Sequence, residues 1–214
     1  MAGITRMLMA VLMMSTNVAA TAAGNPQAGM QKAAACMACH GPDGNSLADM
    51  WPKLAGQLPD YIVKQLQDFK AKRRQDDLMS PQAANVADID MADIAAFFSS
   101  QTVKGAESDK SKLALGEQIY RKGKGRPVPV TACIGCHSPT GAGNRDWNKT
   151  QSHVPAVLAP AIGSQHVAYL EKQLKAYRDG KRSNDPAHVM RDLTRGLSDE
   201  ELVAVAAYVA MLKR

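Results

Sequence analysis

Apolar side chains recur at helical intervals along this chain, separated by stretches rich in Gly, Pro, Asp and Ser. From Ala28 to Cys39, Ala and Met keep such a spacing. Pro59 stands where a helix can open, because a first-turn residue needs no N–H. Tyr61, Ile62, Gln65, Leu66 and Phe69 then share one face. Near the end, Ser198-Asp199-Glu200-Glu201 reads as a capping box, and Leu202, Val205, Ala206 and Val209 follow at helical spacing. No β-branched run alternates apolar with polar residues. The pattern predicts an all-α protein with long loops between its helices. Ahead of these helices, the run Met7–Met14 is short of the ~20 apolar residues of a membrane span. With Arg6 as the sole charge and Ala20-Thr21-Ala22 as a cleavage site, residues 1–23 read as a secretory signal peptide.

The helical pattern occurs twice. Cys36-Met37-Ala38-Cys39-His40 recurs 97 positions later as Cys133-Ile134-Gly135-Cys136-His137. Pro52, Leu54, Gln57, Tyr61, Gln65 and Leu66 recur 108 positions later as Pro160, Ile162, Gln165, Tyr169, Gln173 and Leu174. Met79, Ile94, Ala95, Ala96 and Phe97 recur 111 positions later as Met190, Val205, Ala206, Ala207 and Tyr208. Constant order with slowly growing offsets is the mark of a duplicated domain with loop insertions. We read residues 24–102 as the first domain, 103–112 as a polar, solvated linker and 113–214 as the second domain.

Two domains in 214 residues leave each with few aromatics, since the whole chain has two Trp, five Tyr and three Phe. Aromatic side chains supply much of a small core, so something else must fill these two. Charge is uneven as well. Residues 24–104 carry eight Lys/Arg against nine Asp, whereas residues 105–214 carry 17 Lys/Arg against 11 acidic residues. The basic half is suited to steering toward an acidic partner or an anionic membrane face, with Lys172, Lys175 and Arg178 as the expected cations. Nucleic acid is a poor fit to an exported chain with no interleaved aromatic and basic residues.

All four cysteines lie in the two CxxCH motifs. Two thiols three positions apart can each add across a haem vinyl group, and the next residue, His, then presents its imidazole to the iron. A zinc ribbon would place its CxxC pairs about 15 to 20 residues apart, and a redox CxxC needs no His. Covalent haem also answers the shortage of aromatics, because a porphyrin is a large apolar surface for a small domain to close upon.

For the sixth ligand, only Met79 and Met190 match each other in the repeat, both in loops ahead of the last helix. Met50 and Met91 align with Leu158 and Leu202, which marks packing positions. His188 lies close enough to Met190 to compete, although a surface role suits it, as it suits His153 and His166. Pro52 and Pro160 are placed either to accept the N–H of the ligating His or merely to shape a loop. Tyr61, Tyr169, Gln65 and Gln173 read as packing, or as hydrogen-bonding groups toward haem propionates or between domains. Arg73-Arg74 and Lys181-Arg182 read as solvated faces with an option on propionates. Residues Arg145–Pro155, around Trp147, form an insertion of the second copy, either a docking feature or a lid.

The motifs CMACHGPDGNS and CIGCHSPTGAGN, with PKLAGQ, YIVKQL and DIAAFFSSQ, resemble those of the dihaem cytochrome c4 family over nearly the whole mature chain. That resemblance implies two class I cytochrome c domains, each around one covalent haem c held by Cys36 and Cys39 or by Cys133 and Cys136. It implies His40 with Met79, and His137 with Met190, as axial ligands. It further implies a periplasmic electron carrier, soluble or loosely membrane-associated, between a quinol-oxidising complex and a terminal oxidase. The family often has a second Met where this chain has Gln82, and the insertion around Trp147 is longer than usual. Two other readings remain in competition: the haem subunit of a larger dehydrogenase, and a dihaem enzyme with an open iron site. His/Met ligation leaves no site for substrate and favours the carrier.

Overall fold

The computed structural model describes residues 24–144 and 159–214, so the signal-peptide reading, His153 and the insertion around Trp147 lie outside the described residues. Ten α-helices are described: α1 (Pro26–Lys32), α2 (Ala34–His40), α3 (Pro59–Lys70), α4 (Met79–Ala84), α5 (Asp88–Ser99), α6 (Leu113–Lys122), α7 (Ile134–His137), α8 (Val167–Arg178), α9 (Val189–Arg195) and α10 (Asp199–Met211). Among the described residues β-pairing is limited to two isolated bridges, Lys124 with Val130 and Asn144 with Ala159. No helix among them is long and apolar enough to cross a membrane.

Local signals in the sequence place most of these helices. Pro59 occupies the first turn of α3, which buries Ile62, Gln65, Leu66 and Phe69. Ser198 and Glu201 form the reciprocal capping bonds that start α10. The expected continuous helix from Ala28 to Cys39 is instead two helices. Asn25 caps α1 through its side-chain oxygen, and the chain breaks at Ala33 (φ −82°, ψ 3°). Ala33 is fully buried, so the break turns the CxxCH segment onto a separate helix while its pivot stays in the core.

Each half builds its own core on one helix crossing. In the first, α1 packs across α5; in the second, α6 packs across α10. The crossings are close because a glycine sits at each. A Cβ on Gly29 would fall 1.9 Å from the Asp93 carbonyl oxygen, and one on Gly116 would fall 2.1 Å from that of Ala204. Phe69, Met91, Ile94, Phe97 and Phe98 centre one apolar cluster; Ile119, Tyr120, Leu202, Val205 and Tyr208 centre the other. At about 1.5–3 kcal/mol for each large side chain buried, these clusters hold the helices together.

Residues 103–112 are not simply solvated. The Lys53 ammonium donates to the carbonyls of Lys104 (2.7 Å) and Gly105 (3.0 Å). The Lys104 N–H donates to Asn45 (2.7 Å), and its side chain pairs with Asp43 (2.8 Å). The start of the connection is therefore tied to the first half.

Candidate functional site

Helix α2 ends on His40 and the one-turn helix α7 ends on His137. The chain leaves both in the same unusual conformation, φ 81° and ψ 156° at Gly41, φ 68° and ψ 166° at Ser138. That region is nearly reserved for glycine and stores roughly 1–3 kcal/mol in other residues. Ser138 is held there by its neighbours: its carbonyl accepts from the Tyr120 hydroxyl (2.6 Å) and its Oγ from the Ala142 N–H (3.0 Å).

Both histidines are buried and equivalently oriented. His40 Nδ1 lies 2.8 Å from the Pro52 carbonyl, and His137 Nδ1 lies 2.9 Å from that of Pro160. The two prolines thus do accept the histidine N–H. Donation from Nδ1 fixes the tautomer and leaves the Nε2 lone pair for a metal. Burial lowers both imidazole pKa values from 6.5, against a smaller upward pull from the proline carbonyls. The neutral ring is the ligand form. Beside them the four cysteines are unpaired thiols. Burial raises the Cys36 and Cys136 pKa values and pushes Cys133 up to about 11. In haem c these sulfurs are thioethers. Cys36 packs, partly buried, against the apolar core of the first half, as do Leu54, Val63 and Met79, and Cys133 packs against that of the second, as do Ile162, Val167 and Leu193. The donor set, two free thiols and an oriented imidazole at each motif, fits a covalent haem there.

The two candidate methionines lie in short helices rather than loops. Met79 opens α4, and its N–H donates to Asp76 Oδ1 at 3.2 Å. Met190 lies in α9, where buried Thr194 donates its hydroxyl to the Met190 carbonyl at 2.7 Å. Both are partly buried. Met91 is a core residue at 1% exposure, as its alignment implied, but Met50 is 60% exposed and packs no core. His188 is exposed, with φ 60°.

Other expectations about polar residues need correction. Arg182 is not on a solvated face: it is 6% exposed. It donates to Gln173 of its own half (2.6 Å) and to Tyr61 (2.9 Å) and Gln65 (3.1 Å) of the other. Its equivalent Arg74 donates to Gln65 (2.8 Å) and, across the interface, to Tyr169 (3.1 Å) and Gln173 (2.8 Å). Of the two readings of these Tyr and Gln residues, hydrogen bonding between domains is what the structure contains. Each arginine also stacks on an equivalent ring, Arg74 on Phe69 and Arg182 on Tyr177. His166 is likewise an interface residue, its Nε2 2.9 Å from Ser46 Oγ. The recurrence of Arg74 at Arg182, 108 positions on, was the available signal for this network. Asp68, which binds Asn184 across the interface at 2.6 Å, has no such signal. Lys172, Lys175 and Arg178 are all paired, with Asp76, Glu171 and Asp199, so their field toward a partner is partly neutralised.

The cytochrome c family model matches residues 27–102 and 113–213. Cytochrome c4 of Thiocapsa roseopersicina is 41% identical over 197 residues, which is 92% of this chain and 97% of that protein. The chain belongs to the cytochrome c4 family. The crystal structure of reduced recombinant cytochrome c4 from Pseudomonas stutzeri matches with a TM-score of 0.78 at 39% identity, covering 89% of this chain and 100% of that one. The thiosulfate dehydrogenase electron acceptor of Stutzerimonas stutzeri (strain A1501) is 36% identical over 190 residues, 86% of this chain and 82% of that protein. As a member of that family, the chain is an all-α electron-transfer protein of two cytochrome c domains with two covalently bound haem c groups.

Proposed function

We propose that the protein is a periplasmic one-electron carrier that takes electrons from a quinol-oxidising complex and delivers them to a terminal oxidase or similar acceptor. Cys36, Cys39, Cys133 and Cys136 hold the two haems. His40 with Met79, and His137 with Met190, are the axial pairs. Haem iron supplies the cycling between Fe(III) and Fe(II). The chain supplies ligands of fixed orientation, a dry pocket and a docking surface. The observation that carries this reading is the duplicated histidine geometry, an Nδ1–H given to a proline carbonyl at 2.8 and 2.9 Å. A histidine so fixed, with a thioether as sixth ligand, makes a saturated iron suited to transfer and not to turnover.

The test is the ferric absorption spectrum of the exported protein with haem counted per chain. Two haems with the weak long-wavelength iron–sulfur band at full strength are expected. Met79→Ala and Met190→Ala are each expected to remove about half of it. An unchanged band in either variant, or high-spin features in the parent, would overturn the ligand assignment and favour a dihaem enzyme.

A second reading has one observation behind it, the likeness to a thiosulfate dehydrogenase electron acceptor. On that reading the donor is a dehydrogenase and not a quinol-oxidising complex. Copurification of a stoichiometric dehydrogenase subunit would select it.

A further inference from the structure

The peptide groups that orient the two histidines are themselves held from the opposite domain. The Pro52 carbonyl, which accepts from His40, and the Lys53 N–H belong to one peptide unit. That N–H donates to Gln165 Oε1 at 2.8 Å, and Gln165 Nε2 returns a bond to the Lys53 carbonyl at 2.9 Å. The arrangement is reciprocal. The Ala161 N–H, on the same peptide as the Pro160 carbonyl, donates to Gln57 Oε1 at 2.9 Å, and Gln57 Nε2 donates to the Ala161 carbonyl at 2.8 Å. Both glutamines are buried, at 7% and 4% exposure. Each Oε1 also accepts from the N–H of the next residue, Leu58 at 3.0 Å and His166 at 3.1 Å, which locks the amide orientation.

We infer that Gln57 and Gln165 are positioning residues acting in trans, each setting the electronic character of the axial histidine in the other domain. An amide whose N–H is engaged is a stronger acceptor at its carbonyl, because hydrogen-bonded chains polarise one another. A stronger acceptor draws on the histidine Nδ1–H and makes the imidazole a more basic ligand. A more basic ligand favours ferric iron, so each glutamine lowers the potential of the haem opposite. Docking of the two domains therefore tunes both centres, and separating them would shift both in the same direction. The inference rests on the assignment of His40 and His137 as axial ligands.

The experiment uses the haem-loaded full chain and two variants, Gln165→Leu and Gln57→Leu. Midpoint potentials are read by spectroelectrochemistry, and each is assigned through the paramagnetically shifted ring resonances of its histidine. Hydrogen exchange at each histidine Nδ1 is followed in parallel. Gln165→Leu is expected to raise the potential of the His40 haem, changing its ferric-to-ferrous ratio about threefold, or ~28 mV at 59 mV per tenfold. It is also expected to speed exchange at His40 and leave His137 nearly unmoved. Gln57→Leu is expected to do the converse. Tyr169→Phe, which loses an interface bond but touches neither peptide, should reproduce neither pattern. Shifts in the variant's own domain, equal shifts in both, the same shifts in Tyr169→Phe, or none would overturn the inference. Absence of shifted His40 or His137 resonances in the parent protein would instead overturn the ligand assignment on which it rests.

Discussion

Removal of the Arg182 guanidinium is the sharpest test of how the two domains are held together. Arg182→Ala deletes a buried cation bonded to Tyr61, Gln65, Gln173 and Asn184 and stacked on Tyr177 at 4.5 Å. The acceptors do not all suffer equally. Gln65 and Gln173 keep Arg74 as a donor, whereas the Tyr61 hydroxyl loses its partner and costs about 1–3 kcal/mol if it stays dry. Loss of the stacked cation adds about 1–2 kcal/mol. The relief of no longer burying a charge offsets part of this. The net expectation is about 3 kcal/mol, and about half that for Arg74→Ala, because Arg74 is only partly buried. Guanidinium unfolding of the haem-loaded protein, followed by Soret absorption and far-ultraviolet dichroism, reads both values. The Arg182 variant should also unfold in two separate steps. A loss below about 1 kcal/mol, or an Arg74 variant as damaged as the Arg182 variant, would refute the reasoning.

Two further outcomes follow from the packing and the charges. Gly29→Ala and Gly116→Ala each drive a methyl group into a backbone carbonyl at the central helix crossing; each should cost about 3 kcal/mol and lower Tm by more than ~10 °C, as read by calorimetry. Asp68 is 3% exposed; burial pushes its carboxyl up, but Lys64, Asn184 and Arg73 outweigh this and hold it below 3.8. Its contribution is therefore complete above about 3.8 and is lost as pH falls through the lower folded value, so unfolding midpoints measured against pH should show an acid limb that Asp68→Asn flattens.

Much of this was legible in the sequence because duplication made comparison possible within one chain. The repeated CxxCH and the helices opening at Pro59 and Ser198 needed only local rules, whereas the proline carbonyls stood as one of two readings that the histidine geometry decides. The break at Ala33 was not legible, because Ala is a strong helix former and only tertiary packing turns the chain there. Nor was the exposure of Met50, which followed its aligned Leu158 by analogy and not by physics. The interface arginines are hidden in the sequence because adjacent charges read as solvated faces, and only a second surface meeting the first encloses Arg182. Gln57 and Gln165 were visible as repeats, yet spacing carries no information about which peptide a side-chain amide will clasp.

The reciprocal clasp has a consequence for ancestry. Each half presents both the glutamine that grips and the peptide that is gripped, so the clasp, taken by itself, is self-complementary, as the contacts of a two-fold pair are. Fusion of two copies preserves that handshake while releasing each side to change alone. The two halves differ at matching positions: Lys53 reaches with its ammonium to the connecting segment, while its counterpart Ala161 carries only a methyl group. Phe69 and Tyr177, under their respective arginines, have parted in the same way. A symmetric pair of identical halves can hold only identical centres; the joined chain has been free to make its two unequal.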